Sequence, residues 1–463
     1  MPAEYGVVTE LYAYAGFLSV LLTYGMETGY FRFASKSENH EIIFSTSFIS
    51  LILTTGIFLA LIFIFLTPIA SILDYTTNKE YIAWFALIIS VDVFSALPFA
   101  KLRLQNKAKK FAILKITSIV INILLNLFFL VICKKNTDNS LISYHIEELS
   151  HFYNPQIGVG YIFISNLISN AFTFLIFIPT LFKIKFVLNK EILKKLLKYS
   201  LPLLIAGMAG MINEVFDRIL LKYFLEIPGG ENEKTYIMSQ IGIYGANYKL
   251  AILMTLFIQA FRYAAEPLFF SMQKNKDAKT NYSQIMNYFI IFGLIIFLAV
   301  MLYIDFAKLF IGEQYREGLK IVPILLLANL FLGIIFNLSF WYKLSDKTIY
   351  GTIISVAGAG ITLILNILLI PKFGYIGSAW ATFFCYLLMM ILSWILGKKH
   401  NEIPYNLKKI LFYFSIALIL YFISEYFKSE NQYLKYTANT IYLSIFIVTA
   451  IFIEGLYKKM LRN

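Results

Sequence analysis

An all-α, polytopic bundle of about thirteen membrane-spanning helices is the fold this sequence predicts. Three observations carry it. Apolar residues make up 59% of the chain and charged ones only 14%, against about 45–50% and about 25% in soluble domains. The apolar residues fall in runs near the ~20 that a helix needs to cross ~30 Å of hydrocarbon. Lysine and arginine crowd every second gap between those runs, the trace left by positive-inside topology.

The first span is read at 6–30 and is followed by Arg32 and Lys36. The second, 42–72, is longer than a crossing needs and carries Pro68. It is either tilted or ends before the proline. Lys79 precedes the third, 81–98, and five basic residues from Lys101 to Lys110 separate it from the fourth, 111–132. The longer gap at about 133–156 holds Asp138, Glu147 and Glu148 and has room for one surface helix. The fifth span, 157–182, leads into Lys183–Lys198, where apolar residues alternate with six lysines as in a basic helix lying on the inner leaflet. Lys234 separates the sixth span, 200–224, from the seventh, 239–264, and Lys274, Lys276 and Lys279 precede the eighth, 287–304. The ninth, 321–342, follows Lys308, Arg316 and Lys320; Lys343 and Lys347 then introduce the tenth, 349–370. Lys372 alone sits before the eleventh, 375–397. The last two, 409–427 and 437–457, are flanked by Lys398, Lys399, Lys408 and Lys409 on one side and by Lys458, Lys459 and Arg462 on the other.

Taken alternately, one set of gaps holds 25 Lys and Arg and the other 10. A missed or invented helix would scramble that alternation. It predicts a cytoplasmic C-terminus and, with an odd helix count, an N-terminus outside. The formal charge of +13 therefore serves topology and anionic headgroups rather than nucleic acid. Cys133 and Cys385 lie far apart without a C-x-x-C partner, and His40, His145, His151 and His400 read as loop residues. Neither set has metal-ligand spacing, so no metal or cofactor is expected. With no P-loop and no Ser/His/Asp cluster, the chain does not read as an ATPase or an enzyme.

Ionisable residues inside a span cost a few kcal/mol each and need a reason. Asp92 and Lys115 come to similar depth on consecutive antiparallel spans, either as a tying ion pair or as cavity groups. The sixth span clusters Asn213, Glu214, Asp217, Arg218 and Lys222, with 214, 218 and 222 stacked on one face. That stripe faces either a polar transport cavity or an internal ion-pair network, and Lys222 can snorkel. In the seventh span Arg262 and Glu266 are spaced to satisfy each other. Lys249 and Arg262, thirteen positions apart and about 220° around an ideal helix, cannot meet one ligand unless the helix is interrupted. Lys249, at mid-membrane, is the better cavity residue. Glu27 and Arg32 close the first span, snorkelling or facing a cavity.

Several segments resemble the polysaccharide-repeat-unit (O-antigen type) flippases of the multidrug/oligosaccharidyl-lipid/polysaccharide (MOP) exporter superfamily. Pro2-Ala3-Glu4-Tyr5-Gly6, Tyr24-Gly25-Met26-Glu27 and Phe31-Arg32-Phe33 are similar to that family's second helix. Lys198-Tyr199-Ser200-Leu201-Pro202, leading to Phe216-Asp217-Arg218, resembles the start of its second lobe. Gly242-Ile243-Tyr244 and Tyr248-Lys249-Leu250-Ala251 match the next helix; Asn366 to Pro371, Gly374-Tyr375-Ile376-Gly377-Ser378-Ala379 and Ala381-Thr382 resemble a later helix–turn–helix signature. The resemblance implies fourteen helices in two six-helix lobes plus a final pair, with the family's first helix missing here. It divides this chain into an N-terminal lobe at 1–182, an amphipathic linker at 183–199, a second lobe at 200–397 and a final pair at 409–457.

It further implies alternating access and a cationic cavity for the pyrophosphate of an undecaprenyl-linked oligosaccharide. Arg218, Lys249 and Arg32 would hold that anion, and Glu214, Asp217, Asp92 and Lys115 would form ion pairs or couple transport to an ion gradient. The expected setting is the bacterial cytoplasmic membrane, with the lipid-linked oligosaccharide, membrane lipids and polysaccharide polymerase or export proteins as partners. Two other readings stand beside it. One is a multidrug or organic-cation exporter of the same superfamily; the other is a membrane-embedded glycan polymerase or transferase, which the lack of a large outer loop disfavours.

Overall fold

The computed structural model describes residues 1–35, 37–133, 153–182, 184–185, 187–227, 233–272, 277–345, 347–427 and 429–455. The surface helix expected within 133–156 and the flanks Lys183, Lys428, Lys458, Lys459 and Arg462 lie outside the described residues, as does the side chain of Glu266. In order, the helices are α1 Pro2–Thr23, α2 Met26–Ala34, α3 His40–Ile64, α4 Leu66–Ile72, α5 Lys79–Leu104, α6 Ala108–Leu127, α7 Gly160–Leu181 and α8 Lys190–Phe224. They continue as α9 Glu233–Tyr248, α10 Ile252–Met272, α11 Ala278–Leu302, α12 Ile304–Phe310, α13 Val322–Leu338, α14 Phe340–Lys343, α15 Ile349–His400, α16 Leu407–Tyr426 and α17 Gln432–Ile453. Among the described residues no strand occurs, and twelve helical stretches are long and apolar enough to cross a membrane.

One of the twelve makes two crossings. As a straight rod the 52 residues of α15 would run about 78 Å, more than twice the ~30 Å hydrocarbon core. Gly374, at φ +55° and ψ −138°, instead turns the chain back. The Ser378 hydroxyl meets Asn366 Oδ1 at 2.7 Å and the Thr362 hydroxyl meets Cys385 Sγ at 3.1 Å, contacts only an antiparallel hairpin allows. The tenth and eleventh spans read from the sequence are its two arms, and the total among the described residues is thirteen. Gly374 sits next to the backbone region that only glycine enters without strain of about 1–3 kcal/mol. Gly374→Ala is therefore expected to lower the unfolding midpoint in detergent by several degrees; an unchanged midpoint would remove the argument.

Two elements differ in detail from the sequence reading, and a third takes one of its two alternatives. The first span is broken: Tyr24 (φ +33°) and Gly25 (φ +70°) separate α1 from α2. The break lets α2 lie directly on α8, where a Cβ on Gly25 would stand 3.0 Å from the Ser200 carbonyl oxygen and one on Gly29 2.5 Å from its hydroxyl. The second span ends at Ile64, before Pro68, which enters the separate short α4. The lysine-rich stretch from Lys190 is not a separate surface helix but runs unbroken into the sixth span as the 35-residue α8. Asn189 starts that helix, accepting at 3.0 Å from the amides of Glu191 and Ile192, the usual work of an N-cap asparagine.

The chain forms two compact units, Glu10–Met211 and Met1–Thr9 with the residues from Ile212 onward. In lipid, helices associate through close packing rather than through water exclusion. In the first unit the rings of Tyr12, Tyr81, Phe85 and Phe163 interlock, Phe85 and Phe163 at 4.7 Å. The opposite case is α6, whose Ile116 and Leu124 are 60% and 59% exposed as a lipid-facing surface. The second unit is built around α11, α13 and α15, with Phe289, Phe297, Leu326, Leu330 and Tyr386 buried, and Phe269 stacked on Phe340 at 3.9 Å.

The final pair, α16 and α17, packs on α11 through Tyr413, Ala417, Leu420, Phe446 and Ala450. Beyond the end of α11, Asp305 receives Lys308 at 2.6 Å and also Lys435 from α17. Partial burial pushes its carboxyl up, but the hydrogen bonds from the two lysines outweigh that and hold it below the ordinary carboxylate value. A depressed folded pKa gives stability that is present above the unfolded value and is lost as pH falls through the folded one. Wild type is thus expected to lose about 1 kcal/mol or less as pH drops below about 4. Asp305→Asn should remove that component of the pH dependence, as read by thermal unfolding at each pH.

Candidate functional site

The most charged intramembrane cluster is built by α8 and α9 within the second unit. Buried ions need partners, because desolvation costs several kcal/mol each. Asp217 is 2% exposed and is well supplied. Its Oδ1 accepts from the Arg218 amide at 2.8 Å, and its Oδ2 accepts from the Tyr244 hydroxyl at 2.5 Å. The Ser378 hydroxyl donates to its carbonyl at 3.3 Å.

Arg218 is less completely satisfied. Its Nη1 donates to the Glu214 carbonyl at 2.8 Å and lies 3.6 Å from Asp217 Oδ1. The guanidinium rests on the Tyr248 ring, 4.2 Å from its centre, with Tyr244 at 5.9 Å. It carries five N–H donors in a planar fork, most of them unused by described residues. The stack of 214, 218 and 222 read from the sequence is therefore not an ion-pair ladder: Arg218 takes the backbone of Glu214, and the Glu214 carboxylate is exposed. Asn213 is tied into the same region by Thr362 Oγ1 at 3.0 Å and the Ser355 carbonyl at 3.2 Å, and its own carbonyl accepts from Tyr386 at 3.1 Å.

Lys249 is placed elsewhere in that unit. The seventh span is interrupted, as one ligand for two of its cations would require, by a tight 3-10 turn at Lys249–Ala251. Just before it, Asn247 Nδ2 reaches back to the Ile243 carbonyl and across to that of Tyr315, each at 2.8 Å, and such back-bonding competes with the helical ladder. Tyr248 faces Arg218, and the following residue is turned about 100° away. The Lys249 ammonium lies 4.9 Å from the centre of the Tyr5 ring, in a largely apolar cavity of about 740 Å³. Arg262 rests on Phe336 at 4.2 Å.

In the unit of Glu10–Met211, Arg32 lies 4.3 Å over the Tyr199 ring. Asp92 and Lys115 line one polar cavity of about 320 Å³ with Glu27, Arg103 and Asn170. Their closest contacts go to different neighbours: Asp92 accepts from Asn170 at 2.8 Å, Lys115 sits on Phe99 at 4.4 Å, and Glu27 pairs with Arg103. Sequence reasoning missed Glu10, which is fully buried and accepts from the Tyr75 hydroxyl at 2.6 Å. It also missed the ring pair Tyr244 and Tyr248, though their i, i+4 spacing on one face of α9 was a usable signal.

This architecture has relatives. Residues 1–143 match the family model described as polysaccharide biosynthesis protein. An uncharacterized membrane protein of Methanocaldococcus jannaschii is 23% identical over 443 residues, covering 86% of this chain and 79% of that one. Among solved structures, the lipid II flippase MurJ in an inward closed conformation superimposes with a TM-score of 0.63 at 17% identity, covering 98% of both chains. An outward-facing multidrug resistance MATE family transporter of the MOP superfamily gives 0.54 at 15% identity, covering 85% of this chain and 86% of that one. By fold, the chain is similar to a lipid II flippase and to a MATE family transporter of the MOP superfamily.

Proposed function

We propose that the protein is a flippase that moves undecaprenyl-pyrophosphate-linked oligosaccharide units from the inner to the outer leaflet for surface polysaccharide synthesis. The supporting observation is Arg218, a cation at membrane depth, seated on tyrosine rings with most of its donors unused by described residues. A planar guanidinium is the side chain best suited to the paired oxygens of a pyrophosphate. The match of the N-terminal third to a polysaccharide biosynthesis family points the same way. Arg32, likewise over a tyrosine ring and without a described carboxylate partner, is an anion-binding group of its own unit in this reading. Asp92 and Lys115, in their polar cavity, are the groups to which we assign ion coupling. The setting is the cytoplasmic membrane with the C-terminus inside, beside the polymerase and export machinery.

One observation favours the organic-cation exporter instead: the exposed Glu214 carboxylate, on the residue whose carbonyl holds Arg218, would suit a cation. The two readings separate in one experiment. The chain is expressed in a strain lacking its repeat-unit flippase, and surface glycan and efflux of a fluorescent organic cation are measured side by side. Restored glycan without efflux supports the flippase. Efflux that Glu214→Gln abolishes, with no glycan, would replace it.

A further inference from the structure

The cavity beside Lys249 has a composition that the export reading does not use. Its wall is Leu250, Leu253, Val300, Phe306 and Phe310 with the tyrosine rings 5, 303 and 315, and Lys249 is the one ionisable group besides those phenols. That lysine stands at the middle of the apolar stretch Glu233–Ala265, is exposed, and has no carboxylate within ion-pair distance among the described residues. A cation at such depth is costly unless an anion or a wet cavity meets it. The Tyr5 ring offers one face only, and apart from the Tyr303 and Tyr315 phenols the rest of the lining is apolar. Leu253, Phe306 and Phe310 are themselves exposed, at 52%, 51% and 88%, so the cavity is reached from outside.

We infer that this cavity is a binding site for one anionic phospholipid, with its phosphate at Lys249 and an acyl chain along α10, α11 and α12. Size supports the choice of occupant. The cavity measures about 740 Å³. At ~30 Å³ for a water-sized group it holds on the order of two dozen such groups, matching an acyl chain with a glycerophosphate and falling short of a long polyprenyl chain. The inference does not rest on the flippase reading, since a resident lipid fits either exporter.

The test uses the purified full chain in detergent and native mass spectrometry, with phosphatidylglycerol, phosphatidylcholine and inorganic phosphate as probes. Wild type should bind phosphatidylglycerol at least tenfold more tightly than phosphatidylcholine, whose own choline ammonium competes with Lys249 for the phosphate; tenfold is the order of one hydrogen-bonded charge pair. Lys249→Gln should erase that preference and Lys249→Arg should keep it, while Ala299→Phe, which fills the cavity, should weaken both lipids. Equal binding of the two lipids by wild type, or a preference that survives Lys249→Gln, would overturn the site. Displacement of the lipid by inorganic phosphate alone would overturn the role of the apolar wall. Displacement by an equimolar polyprenyl phosphate would overturn the phospholipid as occupant. None of these outcomes depends on glycan export, which is scored separately by complementation.

Discussion

Arg218→Gln is expected to lower glycan export at least tenfold, with normal membrane insertion. One charge-assisted hydrogen bond contributes about 1.5–3 kcal/mol, or roughly 10–100-fold, and the fork offers two in parallel to a pyrophosphate. Arg218→Lys should rescue poorly, because a single ammonium cannot replace the planar pair or lie flat on Tyr248 in the same way. A second effect must be separated from this one. Arg218 also stands 3.6 Å from the buried Asp217 carboxylate, so its loss leaves that charge less compensated. The double change Asp217→Asn with Arg218→Gln removes both charges and resolves the ambiguity. If Arg218 only neutralises Asp217, export returns in the double variant. If Arg218 holds the substrate, export stays low although folding is restored, and that is the expected result.

How much of this was legible beforehand follows from what each signal depends on. The thirteen crossings rest on run length and on lysine placement, both properties of the linear chain, and both arms of the Gly374 hairpin were visible because Pro371, Lys372 and Gly374 interrupt the apolar run. Continuity between the lysine-rich segment and the sixth span was not legible. The six lysines marked it off as a surface segment, yet α8 runs from Lys190 through Pro202 into the span, and a proline in a membrane helix is tolerated where neighbours compensate.

The site was half legible. Periodicity placed 214, 218 and 222 on one face, but it carries no information about residues on another helix. Asp217 is held by Tyr244, 27 positions on, and by Ser378, 161 positions on. The sequence reading grouped Arg218 with Lys249 because both are deep cations. Lys249 follows Tyr248 by one residue, and the rotation of a single residue sends it to Tyr5 and an apolar wall instead.

A second large effect is expected at Gly242, where α1 and α9 cross with their backbones in contact. A Cβ on Gly242 would stand 2.0 Å from the Pro2 carbonyl oxygen, and one on Gly6 would stand 1.8 Å from that of Met238. Neither obstacle is the end of a flexible side chain, so the helices themselves must part. Overpacking costs about 1–3 kcal/mol and more when backbone must move, and small residues are what permit such approach in membranes. Gly242→Ala should therefore lower the unfolding midpoint by several degrees, and Gly242→Leu by more. Gly360→Ala gives the contrast, since no atom lies within 4 Å of its added Cβ. There the gain in helix propensity, up to about 1 kcal/mol, acts alone, and the midpoint should hold or rise. The same substitution chemistry thus predicts opposite signs at two helical glycines. Because Gly242 lies two residues before Tyr244, loosening the crossing should also disturb the rings on which Arg218 rests, so export should fall with Gly242→Ala and persist with Gly360→Ala. Equal stability of the two variants would mean that the first turns of α1 do not pack on α9 as described.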